Sequence, residues 1–328
     1  MAHQSLVAVS YPVDDEFARI NTSVLADSAE VRFTHGRSEN ELREILREAD
    51  VLIGWHLSQE LPTGIWQDSR RLRFVQLLSA GADAVDFAAL PERLVLASNA
   101  GAYAKPMAEH VMAMALALAK RLPQRHAALA RGEFRMWEPT LELDGMVCGI
   151  VGFGGIGKAT AHLARAFGAR IFAINSSGST EEPVEFIGTL ADLDRVLTVA
   201  DALVLSLPLI RATRGLIGSP ELSRMKPNAI LVNVSRAAIV DERAFYEHLR
   251  GHPEFCAGID TWWHEPGPDS GFVTGYPFFD LPNVLGSPHN SGVVDGALQV
   301  GARKAAENVR RFLHREPVVG VACREDYL

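Results

Sequence analysis

The sequence predicts an α/β protein made of two doubly wound parallel-sheet units, and three observations carry that expectation. Its 328 residues correspond to two domains at about 150 residues each. Short apolar runs alternate with segments of helical periodicity almost from end to end, the pattern of parallel sheets with helices on both faces. The alternation then restarts after one long helical segment, which puts a boundary near residues 100–105.

In chain order, Leu6–Val9, Val51–Gly54, Phe74–Leu78 and Leu94–Ala97 read as buried strands. Between them, Asn40–Ala49 places Leu42, Ile45, Leu46 and Ala49 at helical spacing. Lys105–Arg121 reads as one long helix. Its apolar part, Met107–Ala119, contains Glu109 and His110 and is too short to span a membrane, so it is a core helix. Met146–Val151, Arg170–Ile174, Ala202–Leu207, Ala229–Val234 and Cys256–Ile259 follow as strands. Helices are expected at Gly155–Phe167, Asp192–Ala200 and Asp241–Arg250, with a final long one over Val293–Leu313. Pro266–Pro282 is a long irregular stretch rich in Gly, Pro and aromatics; a functional loop and a surface insertion packed on itself both fit it.

Composition narrows the function classes. Hydrophobic residues make up 48% and charged residues 22%, which excludes disordered, fibrous and disulfide-stapled chains. A net charge of −8 gives no broad basic face for nucleic acid. Cys148, Cys256 and Cys323 form no CxxC pair and read as small buried hydrophobes in a reducing compartment. Met1-Ala2-His3-Gln4 begins no signal peptide, so a cytoplasmic location is expected, with no metal centre and no membrane partner.

The stretch Gly152-Phe153-Gly154-Gly155-Ile156-Gly157 fits G-x-G-x-x-G, with a strand before it and an amphipathic helix after it. In that context Gly152 allows the sharp turn, Gly154 lets a pyrophosphate approach the backbone, and Gly157 lets helix and strand pack closely. The free N–H groups at the helix start then hold the phosphates, those of Gly155 and Ile156 among them. The second strand should end in an acid that grips the adenosine ribose. Asn175 stands there instead, followed by Ser176 and Ser177, with Glu181 and Glu182 just beyond and no Arg or Lys. The cofactor is therefore NAD or NADP, leaning to NAD. Pro208, past the strand Ala202–Leu207, joins the same dinucleotide site.

Three later segments put ionisable residues near strand ends, where open α/β sheets bind ligands: Asn233-Val234-Ser235-Arg236, Asp260-Thr261-Trp262-Trp263-His264-Glu265-Pro266 and Ser287-Pro288-His289-Asn290. Taken singly, Arg236 could be a surface ion pair, Glu265 a solvated loop residue and His289 a packed loop histidine.

Together with Ser79-Ala80-Gly81-Ala82-Asp83, Lys105-Pro106-Met107-Ala108-Glu109-His110, Thr213-Arg214-Gly215-Leu216-Ile217-Gly218, Met225-Lys226-Pro227, Val240-Asp241-Glu242 and Leu281-Pro282-Asn283-Val284, these segments resemble the D-isomer-specific 2-hydroxyacid dehydrogenases over nearly the whole chain. The resemblance implies reversible reduction of a small 2-keto acid to a D-2-hydroxy acid with NAD(P)H. It implies that Arg236 binds the substrate carboxylate and carbonyl, that His289 is the acid/base and that Glu265 is its partner. Asp260 would sit near the nicotinamide carboxamide, and backbone N–H groups at Ala80 and Gly81, with Tyr103, would contact substrate.

The chemistry matches those residue types. Hydride delivery to a keto carbon leaves an oxygen that must gain a proton, and histidine titrates near neutrality. A carboxylate on the imidazole favours its charged form, and an arginine fork matches a carboxylate. The resemblance also implies a substrate domain of residues 1–102 plus 292–328, a cofactor domain of 103–291, and an active site in the cleft between them. It implies a homodimer, with the Lys105–Arg121 region at the interface.

Three departures stand out: Ala237 where the family usually has Gly, Asn175, and the length of Pro266–Pro282. Phe272, Tyr276, Phe278 and Phe279 of that stretch, with Trp55, Tyr103 and Trp137, either shape an apolar side-chain pocket or pack as ordinary core. A dinucleotide-sensing, co-repressor-like protein on the same fold is the competing function. Formate oxidation is disfavoured, because such relatives pair the histidine with Gln.

Overall fold

A computed structural model describes residues 4–267 and 270–328 of the chain. It divides into two units, one formed by residues up to Tyr103 together with Val294–Leu328, the other by Ala104–Val293.

In the first unit, β1 (Ser5–Val9), β2 (Ala29–Phe33), β3 (Val51–Gly54), β4 (Phe74–Leu77) and β5 (Val95–Ala97) form a parallel sheet in the order β2-β1-β3-β4-β5. The central strands are nearly continuous apolar runs because both faces are covered. Helix Asp15–Leu25 starts where Asp14 accepts from the Glu16 and Phe17 N–H groups, and Glu39–Glu48 starts at a Ser38/Glu41 capping box. The first of these and β2 were not foreseen from sequence, since β2 (AEVRF) mixes charge into a half-buried edge strand.

The last long helix also belongs to this unit. It begins at Ala297 rather than Val293, because Gly296 turns left-handed (φ 77°) just before it and Val293 and Val294 are exposed. Its Asn308 Nδ2 donates to Gln76 Oε1 (2.7 Å) and to Val319 O (2.9 Å), tying the helix to β4 and to the C-terminal segment.

In the second unit, β6 (Val147–Val151), β7 (Arg170–Ile174), β8 (Phe186–Gly188), β9 (Ala202–Leu205), β10 (Ile230–Asn233), β11 (Cys256–Ile259) and β12 (Val284–Gly286) form a parallel sheet in the order β12-β11-β10-β9-β6-β7-β8. The strand order reverses between β6 and β9, the place where such sheets open a ligand crevice. Val111, Met114, Ala115 and Leu118 of helix Ala104–Ala119 bury one face of this sheet together with Ala161 and Ala164 of helix Gly155–Ala166.

The expected helix Lys105–Arg121 is observed as one helix, Ala104–Ala119, which ends two residues early. Arg121 turns left-handed (φ 51°), and a separate helix, Leu122–Ala130, follows with Pro123 in its first turn. Cys148 and Cys256 are buried, whereas Cys323 is exposed and donates to Glu325 Oε2, so the expectation of three buried thiols holds for two. Among the described residues, no helix is long and apolar enough to cross a membrane.

Candidate active site

The glycine turn joins β6 to helix Gly155–Ala166. Gly152 has φ +101°, and a Cβ there would lie 2.5 Å from the Ser206 carbonyl carbon and 2.6 Å from Leu207 N. Gly157 packs equally close, since its Cβ would lie 2.5 Å from Gly152 O. The Gly152 and Phe153 N–H groups both donate to Ile174 O, and Ser206 Oγ donates to Gly152 O (2.9 Å), so the turn is fixed to β7 and β9. A Cβ on Gly154 would meet nothing within 4 Å. The turn is rigid below and open above the first N–H groups of a helix, which is the geometry a dinucleotide pyrophosphate needs.

At the end of β7, the Asn175 side chain is committed to its own loop. Its Oδ1 accepts from the N–H groups of Gly178 (2.7 Å) and Ser177 (3.1 Å), and its Nδ2 donates to Ser179 O (2.8 Å). This is an Asx-type turn, so the ribose-facing role foreseen for Asn175 competes with four local bonds, counting one from Ser177 Oγ (3.2 Å). Ser176 and Ser177 are exposed beside it, and exposed Pro208 accepts from Thr213 Oγ1 through its carbonyl (2.7 Å).

Three adjacent parallel strands supply the polar cluster. In register, Asn233 of β10 pairs with Ile259 of β11, and Ile259 pairs with Gly286 of β12, so the three C-terminal ends lie side by side. Arg236 follows β10, in a loop held by Asn233, whose Nδ2 donates to Arg236 O (3.0 Å) and whose Oδ1 accepts from Ser235 N (3.0 Å). Asp260 and Glu265 follow β11, and His289 follows β12. His289 Nδ1 and Glu265 Oε2 are 2.8 Å apart, with the two side chains 39% and 38% exposed, so the pair is open to a reactant. Glu265 Oε1 also accepts from Trp262 N (3.0 Å). Partial burial pushes the Glu265 carboxyl up, but the His289 and Trp262 hydrogen bonds and the charges of His289 and Arg236 outweigh it and hold it below the usual carboxylate range.

Asp260 is fully buried and organises the loop that presents His289. Its backbone carbonyl accepts from His289 N (2.8 Å), and its carboxylate accepts from Ser287 Oγ (2.5 Å), Asn290 N (3.1 Å) and Ser291 N (3.2 Å). His289 itself is left-handed (φ 51°), a conformation uncommon for a side-chain-bearing residue and often found at functional sites. His110 Nε2 reaches Ser287 Oγ (2.9 Å) from the long helix; with the Ser287 proton on Asp260, His110 is the donor. Reasoning from sequence left His110 and Ser287 without roles, because no spacing rule links a helix to a loop 177 residues away.

Beside the His289–Glu265 pair lies a cavity of about 450 Å³, walled by Trp262, Pro266, Phe272, Phe279 and Pro288. The aromatic set read from sequence therefore divides. Phe272 and Phe279 face this cavity, Tyr276 stacks on Tyr246 and Phe278 is fully buried. Trp55 stacks on His56 in the first unit, and Trp137 is 88% exposed.

Ala80, Gly81 and Tyr103 belong to the first unit. Ala80 and Gly81 lie just past β4, where Ser79 Oγ donates to Gly81 O (2.8 Å). The Tyr103 hydroxyl donates to Leu78 O (2.9 Å), and burial pushes its pKa up to about 12, so it stays a neutral donor. Among the described residues, no cluster of His, Cys, Asp or Glu is arranged to hold a metal ion.

Residues 112–291 match the family model described as "D-isomer specific 2-hydroxyacid dehydrogenase, NAD binding domain". The hydroxypyruvate reductase of Thermotoga maritima is 31% identical over 290 residues, covering 86% of this chain and 90% of that protein. The chain belongs to the D-isomer specific 2-hydroxyacid dehydrogenase family. The D-3-phosphoglycerate dehydrogenase of Methanocaldococcus jannaschii is 30% identical over 94% of the chain, but the chain spans only 58% of that relative's length. Another member of the D-isomer specific 2-hydroxyacid dehydrogenase family, from Xanthobacter autotrophicus, superposes over 99% of this chain and all of its own with a TM-score of 0.80 at 23% identity. That likeness is one of fold. The family match takes in the glycine turn, Arg236, Asp260, Glu265 and His289, and stops short of His110.

Proposed function

We propose that the chain is an NAD(P)-dependent oxidoreductase that reduces a 2-keto acid to the D-2-hydroxy acid, reversibly. The observation that carries this reading is the 2.8 Å His289–Glu265 pair, set on strand ends beside the one that carries Arg236. The glycine turn fits the cofactor, because a Cβ at Gly154 would meet nothing within 4 Å whereas Gly152 and Gly157 are tightly packed. A nicotinamide dinucleotide bound there would supply hydride to the keto carbon.

The chain's own residues do the rest. Arg236 offers its planar fork to the substrate carboxylate and polarises the carbonyl. His289 donates the Nε2 proton to the developing alkoxide while its Nδ1–H stays on Glu265, so the ring returns to a defined tautomer. Glu265, held ionised, offsets the imidazolium charge before the transfer; in the oxidative direction His289 Nε2 takes the hydroxyl proton back while Glu265 holds the ring in place. Asp260 keeps the His289 loop in register through four hydrogen bonds, in addition to the cofactor contact foreseen for it.

We also propose a preference for NADH over NADPH. No Arg or Lys occurs between Asn175 and Glu185, and Glu181 and Glu182 disfavour a 2′-phosphate. A homodimer completes the proposal. The exposed Leu129, Phe134, Met136 and Trp137 that follow the helix foreseen at the interface extend that region with apolar surface for a second copy.

The test of the function is a panel of 2-keto acids incubated with NADH or NADPH and followed by loss of reduced-nicotinamide absorbance. Turnover of at least one acid that disappears in His289→Ala supports the proposal; a panel with no turnover under either cofactor refutes it.

A further inference from the structure

We propose that the cavity walled by Trp262, Phe272 and Phe279 holds the substrate's 2-substituent, and that the substrate is a 2-keto acid with a bulky, aromatic side chain. This assignment rests on the proposed 2-keto acid reduction and narrows its substrate class.

The cavity has the right size and polarity. At about 450 Å³ it falls within the range of small-ligand sites, whereas a two-carbon keto acid would leave most of it to water. Its ionisable lining groups are Glu265 and His289, which are paired with each other, and apart from Gly286 and Ser287 its remaining walls are rings and prolines. A ligand with its carbonyl at His289 and an apolar group beyond it matches that division.

The rings are also fixed in place. Trp262 Nε1 donates to Ser287 O (2.8 Å), clamping the exit of β11 to the exit of β12. Phe279 stacks on Trp262 with ring centroids 5.1 Å apart, and Phe272 meets Trp262 edge-on at 5.3 Å. Gly286 makes this approach possible, because a Cβ there would lie 2.7 Å from the Trp262 ring and 3.1 Å from Phe279.

The long stretch that carries these rings is anchored from below. Phe278 is fully buried and stacks on Trp263 (5.4 Å), Tyr276 stacks on Tyr246 (5.1 Å), and the Gly275 N–H donates to Glu242 Oε1 (3.1 Å). With Phe278 turned into the core, its neighbour Phe279 is left 61% exposed at the cavity, and Phe272 is 44% exposed. Exposed aromatic faces lining a concave wall next to an acid/base pair are the features of a specificity pocket, since aromatic rings prefer edge-on or offset aromatic partners.

The experiment measures kcat/KM for glyoxylate, pyruvate, 4-methyl-2-oxopentanoate and phenylpyruvate on the full chain with one saturating cofactor. Phenylpyruvate should exceed glyoxylate by at least about tenfold, the discrimination a shaped apolar pocket provides. Phe272→Ala and Phe279→Ala should each lower that ratio about tenfold. Both substrates are read on the same preparation, so a partly folded variant leaves the ratio meaningful. A wild-type ratio that favours glyoxylate, or a ratio unmoved in both variants, overturns the pocket while leaving 2-keto acid reduction intact. A chain that turns over none of the four overturns both.

Discussion

Two alanine substitutions within the glycine turn should separate its structural duty from its binding duty. Gly152→Ala forces a side chain into φ +101°, at about 1–3 kcal/mol, and drives its Cβ to 2.5 Å from the Ser206 backbone, an overpacking of a further 1–3 kcal/mol or so. The expected destabilisation is therefore roughly 2–6 kcal/mol, which for a domain of this size lowers Tm by at least about 4 °C. Gly154→Ala sits at φ −91° and ψ −150°, which any residue adopts, and its Cβ meets no atom within 4 Å. A small capping loss and the reduced freedom of the unfolded chain offset each other there, so stability should stay within about 1 kcal/mol. That same Cβ projects into the open space above the helix N–H groups, so dinucleotide affinity should fall at least about tenfold through lost phosphate contacts. Calorimetry gives the two Tm values, and titration with NADH and NADPH gives the affinities. If Gly154→Ala loses as much stability as Gly152→Ala, or keeps full dinucleotide affinity, the division of labour within the turn is wrong.

Further outcomes follow from the same geometry. Arg236→Ala and His289→Ala should each lower kcat/KM by about 10²–10⁴-fold with dinucleotide affinity nearly unchanged, as read by kinetics beside direct titration. Glu265→Gln should lower stability at pH 7, and the difference should shrink as the solution is acidified below the ordinary carboxyl range. Its folded carboxyl pKa is depressed, so the stabilisation is present above the unfolded value of about 4.3 and is lost as pH falls through the folded one; urea midpoints over an acid pH series check this. Ser287→Ala should free His110 and remove one acceptor bond from Asp260, lowering kcat more than it changes cofactor KM; equal effects on both would refute a positioning role. Asn175→Asp should sharpen the NADH preference while loosening its turn, because the oxygen replacing Nδ2 faces Ser179 O; kcat/KM with both cofactors and the variant's Tm decide this.

What was legible in the sequence was local or periodic. Buried parallel strands announce themselves as unbroken apolar runs, so β3, β7 and β11 were readable to the residue. The three-residue β8 and the charged edge strand β2 carry neither signal, and the helix Leu122–Ala130 that follows the left-handed Arg121 is too polar in its first half to show a helical stripe. Arg236, Glu265 and His289 could be named because each closely follows a strand and matches a family pattern. Their grouping needs the register of β10, β11 and β12, which a sequence does not display.

Asn175 and Asp260 show what position at a strand end leaves open. Asn175 was assigned to the cofactor from its position and Asp260 from the family resemblance; in the structure the Asn175 side chain bonds Ser177, Gly178 and Ser179, and that of Asp260 bonds Ser287, Asn290 and Ser291. A residue at a strand end can face a ligand or cap the loop that follows, and only hydrogen-bond partners distinguish the two. For Asp260 the capping duty would itself support the proposed chemistry. A buried carboxylate with four acceptor sites can hold Ser287, Asn290 and Ser291 at once, and in doing so it fixes the left-handed His289 between them. The left-handed conformation of His289 is then sustained by the loop around it, which is why its ring is held toward Glu265, where the proposed proton transfer needs it.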